Sequence, residues 1–64
     1  MEWRLGLFYL QEGKLERAED AFREGLVIRP NHLATLEGFH QVLKTMKKTA
    51  AAKLLEGRIK AVKQ

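Results

Sequence analysis

The sequence predicts an all-α domain of about four helices, arranged as two antiparallel helix–turn–helix pairs. Three observations predict it. Apolar residues recur at three- and four-residue steps through four segments. Those segments are separated by Gly13, by Pro30 and by the stretch from Lys47 to Thr49. No stretch alternates apolar and polar residues, and no Asn-Gly or Asp-Gly pair offers a hairpin turn, so nothing competes as β-structure.

The first helix is expected over about Glu2 to Glu12. Gly13 supplies the positive-φ residue that closes a helix, and Lys14 completes a tight turn. The second is expected over Leu15 to Ile28, with Leu15, Ala18, Ala21, Phe22, Gly25 and Leu26 on its inner side. Glu16, Glu19 and Asp20 near its start and Arg29 at its end suit the helix dipole. Pro30 cannot extend the hydrogen-bond ladder, and it disfavours helical angles at Arg29. Asn31 is the expected N-cap of a third helix over about His32 to Met46, striped by Leu33, Leu36, Phe39, Leu43 and Met46 with Val42 at its shoulder. Thr49 is expected to cap a fourth over about Ala50 to Val62, lined by Ala51, Leu55, Ile59 and Val62. Short connections make neighbouring helices antiparallel. The 64 residues therefore read as one domain, with residues 1–30 forming the first pair and residues 31–64 the second.

A chain of 64 residues, 45% hydrophobic and 31% charged, has the composition of a folded helical domain rather than a disordered one. Its size makes it marginally stable, and scaffolds this small usually gain support from disulfides, a metal or a partner subunit. Cysteine is absent, which removes disulfides and thiolate zinc sites. No segment approaches the length of a membrane span, and the apolar run after Arg4 is too short for a signal peptide, so the chain is read as soluble and cytoplasmic. The net charge of +4 is uneven. Residues 1–42 hold five basic and seven acidic side chains, while residues 43–64 hold seven basic ones against Glu56 alone.

The first pair carries a spaced pattern: Leu5-Gly6-x-x-Tyr9, Gly13, Ala18-x-x-x-Phe22 and Pro30. It resembles the tetratricopeptide repeat, whose signature is W-x-x-L-G-x-x-Y, then A-x-x-x-F, then P. Small Gly6 and Ala18 let two helices approach, Tyr9, Phe22 and Leu26 fill the wedge between them, Gly13 turns the chain and Pro30 ends the second helix. The family's Trp would fall at Glu2, whereas this chain has Trp3, and Gly25 stands where Ala is usual. Advancing by the family's 34-residue period sets Phe39 against Leu5, Leu43 against Tyr9 and Ala52 against Ala18, but Lys47 against Gly13 and Glu56 against Phe22. The second pair thus reads as degenerate, with a register shift expected at Lys47–Thr49 and a last helix that caps the array. The resemblance implies a fragment of a right-handed superhelix.

On a helical projection the first helix is apolar on two sides, Leu5, Phe8 and Tyr9 on one and Trp3, Leu7 and Leu10 on the other. The first set is expected to be covered by the second and third helices, which leaves the other set without cover in its own chain. In the family, the ligand-facing groove is lined by the first helix of each pair. Carried over by position, that groove holds Trp3, Leu7, Leu10 and Gln11 from the first pair, and Ala34, Glu37, Gln41, Lys44 and Thr45 from the second. One branch of the family grips C-terminal carboxylates with Lys and Asn at positions where this chain has Trp3 and Leu7, so that activity is not carried over. The resemblance implies a protein-interaction module. A foreign helix or peptide, another copy of the chain, or a neighbouring repeat of a longer array would each cover the apolar side.

Enzymatic chemistry finds little to work with. Ser and Cys are absent, and Thr35, Thr45 and Thr49 have no evident base. His32 and His40 lie eight residues apart without a third ligand, so no metal site is expected. The five glycines are scattered and form no phosphate loop, so no cofactor is expected. The alternative function is a basic helical adaptor that binds nucleic acid through Lys44, Lys47, Lys48, Lys53, Lys60 and Lys63. Against it, no aromatic residue follows Phe39, and the region has a single arginine, Arg58.

Overall fold

The computed structural model describes residues 3–63 and contains four helices: α1 (Trp3–Gln11), α2 (Leu15–Ile28), α3 (Leu33–Thr45) and α4 (Thr49–Lys63). The fold is all-α, with no strand among the described residues. Glu2, where the first helix was expected to begin and where the repeat's Trp position falls, lies outside the described residues.

The first turn is built as its glycine predicts. Gly13 has φ of 79°, its N–H donates to the Leu10 carbonyl at 3.1 Å, and the Lys14 N–H reaches back to Tyr9 at 2.9 Å. This is a Schellman closure, in which a left-handed residue lets two orphan carbonyls be satisfied. The second turn repeats it 34 residues later. Lys47 has φ of 63°, its N–H donates to Lys44 at 3.0 Å, and the Lys48 N–H donates to Leu43 at 2.9 Å. The helices keep the same offset, since α1 and α3 end at Gln11 and Thr45, and α2 and α4 begin at Leu15 and Thr49. The register shift expected at Lys47–Thr49 is therefore absent. Lysine occupies the left-handed position that glycine holds in the first pair, at a steric cost of about 1–2 kcal/mol.

Two expected caps move by one residue. His32, not Asn31, caps α3, with extended backbone angles and its Nδ1 2.7 Å from the Thr35 hydroxyl. Thr49 is the first residue of α4 rather than its cap, and the Lys48 carbonyl accepts from the Ala52 N–H at 3.0 Å. The ring–hydroxyl contact gives His32 a partner that Asn31, further outside the helix, lacks.

α1 pairs with α2, α2 with α3 and α3 with α4, and α1 also touches α3. The backbone of α4 lies beside that of α3 and of no other helix among the described residues. The core is Ala18, Phe22, Leu36, Phe39, Val42, Leu43, Ala52 and Leu55. Phe22 is its centre. Its ring, fully buried, lies so close to Gly6 on α1 and Gly38 on α3 that a methyl group on either would come within 2.7 or 2.6 Å of it. Two helices thus close on one aromatic ring because each offers a position without a Cβ. Leu26 packs beside this core and Pro30 is exposed in the turn after α2.

One ion pair ties the two hairpins together. Glu19 on α2 is only 8% exposed, and its carboxylate accepts from Lys48 Nζ at 3.1 and 3.3 Å and from Arg23 at 3.1 Å. Arg58 on α4 donates to the Pro30 carbonyl at 2.6 Å and fastens the far end.

Candidate interaction surface

α1 meets its neighbours through Gly6, the helix's buried residue, with Trp3, Tyr9 and Leu10 packed partly against the core around it. A face centred on glycine brings α1 close to the Phe22 ring and sets which side chains remain outside. Leu7 is 40% exposed, Leu5 43% and Phe8 53%.

This revises the expected division of α1. Trp3 and Leu10, expected to need cover from outside, find it within the chain. Trp3 lies 5.3 Å from the His32 ring between centroids, and the Arg4 guanidinium is 5.7 Å from the indole centre. Leu5 and Phe8, expected beneath the second and third helices, instead stand open. Tyr9 is half-buried, and its ring centroid is 5.9 Å from that of Phe8.

The groove positions carried over from the repeat divide by burial. Leu7, Gln11, Glu37, Gln41, Lys44 and Thr45 are exposed, whereas Trp3, Leu10 and Ala34 are half-buried. Some are already engaged: the Thr45 hydroxyl donates to the Gln41 carbonyl at 2.9 Å, and Glu37 lies 3.5 Å from Lys63 Nζ. Trp3 turns toward the end of the molecule, where it lines a cavity of about 270 Å³ with Arg4, Gly25, Ile28, Arg29, His32 and Thr35. Glu37 and Gln41 border a different hollow with His40, Glu56 and Ile59. Leu7 is the one large exposed apolar side chain among the nine positions.

The histidines are placed apart. His40 Nε2 lies 3.1 Å from Glu56, across α3 and α4, while His32 faces Thr35. Of the lysines offered for phosphate contact, Lys48 is held by Glu19 and Lys63 by Glu37; Lys44, Lys47, Lys53 and Lys60 are exposed. No helix is long and apolar enough to cross a membrane among the described residues. A comparison with protein-family models, curated proteins and solved structures found no match for the chain.

Two features were not legible in the residue pattern. Gly38 reads as one scattered glycine among five, and Glu19 as one of three acids near the start of α2 that suit the helix dipole. The buried aspect of Glu19 is decided by Lys48, 29 residues away.

Proposed function

We propose that this chain is a non-enzymatic protein-interaction module, a tetratricopeptide-like pair of helical hairpins that associates through α1. The observation that carries this reading is the exposure of Leu5, Leu7 and Phe8 on a single short helix. Large apolar side chains clustered on one element mark a surface for another protein, because their burial contributes about 1.5–3 kcal/mol for each one fully covered. The identical turn geometry of the hairpins at a 34-residue offset supports the tetratricopeptide-like part of the reading. The polar positions Gln41, Lys44 and Thr45 form the rim on which choice of partner depends.

A photo-crosslinking residue tests the assignment when placed in turn at Leu7, Phe8 and Lys60 in cells producing the chain. Protein adducts at the two α1 positions and none at Lys60 are expected. Nucleic-acid adducts at Lys60, with silent α1 positions, would transfer the assignment to the basic helix.

A further inference from the structure

The apolar side of α1 has an internal counterpart that says what kind of cover it takes. At the 34-residue offset, Leu5, Phe8 and Tyr9 correspond to Phe39, Val42 and Leu43 of α3. In the second pair those residues are buried, because α2 lies against α3 on one side and α4 on another. In the first pair only Tyr9 packs partly against the core, and Leu5 and Phe8 are 43% and 53% exposed. The face therefore has the form of one that takes a helix.

The opposite end of the molecule does not offer that helix. α2 turns Glu19, Phe22 and Leu26 toward the core and α3, and the corresponding residues of α4 are Lys53, Glu56 and Lys60, all exposed and charged. Laying α4 of one copy on α1 of the next would bury these charges against Leu5 and Phe8, which rules out head-to-tail stacking.

We propose that the occupant is α1 of a second copy, crossing antiparallel about a two-fold axis near Phe8; this rests on the interaction-module reading above. The charge order on the helix selects that arrangement. Arg4, Phe8 and Glu12 form one ridge at four-residue steps, with a cation at one end, the ring at the centre and an anion at the other. An antiparallel pair centred on Phe8 sets Arg4 of each copy opposite Glu12 of the other. The neighbouring edge of α2 repeats this order. Leu5 and Tyr9 border a hollow with Arg17, Asp20, Ala21 and Glu24, and since α2 runs antiparallel to α1, Glu24 lies toward the Arg4 end and Arg17 toward the Glu12 end, while Asp20 between them lies 3.9 Å from Arg23 of its own chain. The same two-fold axis sets Arg17 toward Glu24 of the second copy. None of these four residues forms an ion pair among the described residues. A parallel pairing would set like charges together. The surface is therefore self-complementary in the way a closed two-fold interface requires.

Sedimentation equilibrium of the full chain over a dilution series, with helical content followed by circular dichroism, tests this. A concentration-dependent dimer is expected. Phe8→Ala should weaken it on the order of 10- to 100-fold, because two rings leave each interface. Arg4→Glu should weaken it, and adding Glu12→Arg should restore it, a rescue that a fold defect would not give. Lys53→Ala with Lys60→Ala should leave it unchanged. A monomer at all concentrations overturns the proposal. So does a dimer that ignores Phe8→Ala and the charge reversal. A monomer that still forms crosslinks to other proteins at Leu7 and Phe8 would sink self-pairing alone; a monomer without such crosslinks would sink the module reading too.

Discussion

The two hairpins share one plan and differ in how completely it is filled. In α3–α4, the first helix has neighbours on several sides, and Leu36, Phe39, Val42 and Leu43 are buried. In α1–α2, two of the corresponding apolar side chains of the first helix, Leu5 and Phe8, stand exposed. The turns invert the ranking. The first hairpin has glycine where the backbone is left-handed, and the second forces lysine into the same shape. The hairpin with the better core has the poorer turn. Stability in this molecule is therefore concentrated around α3, while α1 carries three exposed large apolar side chains among the described residues, with Val27 and Ile28 on α2 and Leu54 on α4 as the others.

The sharpest way to break that contrast is to remove what the hairpins share. Phe22→Ala withdraws the ring on which α1 and α3 both close and should cost about 3–5 kcal/mol, read by denaturant unfolding. On a domain of this size that is enough to populate the unfolded state under native conditions. A loss near 1 kcal/mol would show that the ring is not the wedge between them.

Methyl groups at the two glycines come next. Gly38→Ala should cost about 1–3 kcal/mol from overpacking, since α3 is held on several sides and cannot retreat. Gly6→Ala meets the same ring, but α1 has an open side and can move outward, and alanine returns up to about 1 kcal/mol of helix propensity. It should be close to neutral in the same unfolding measurement. Equal costs at the two sites would mean that α1 is as firmly held as α3.

Substitutions in the turns should act on a scale of about 1 kcal/mol, and they should have opposite signs. Gly13→Ala should destabilise by about 1 kcal/mol or somewhat more, and Lys47→Gly should stabilise by up to about 1 kcal/mol. A change of 1 kcal/mol moves Tm by roughly 4–8 °C in a domain this small, so a thermal scan resolves both. Matching signs would show that the turns are not equivalent in the way their hydrogen bonds indicate.

The sequence by itself determined the helices and where the chain turns. Residues such as Gly13 and Pro30 act through backbone sterics on their immediate neighbours, and apolar periodicity marks which side chains share a face, so neither needs a distant contact. That information placed α2 without error and the other helices to within a residue or two. Only the tertiary structure decided which face of α1 goes inward. Periodicity weighs large apolar side chains, and a helix that buries itself through Gly6 has its innermost residue where that weight is least. The partner of Glu19 and the role of Gly38 were hidden for the same reason: each is set by a group on another helix or turn, Lys48 in one case and Phe22 in the other.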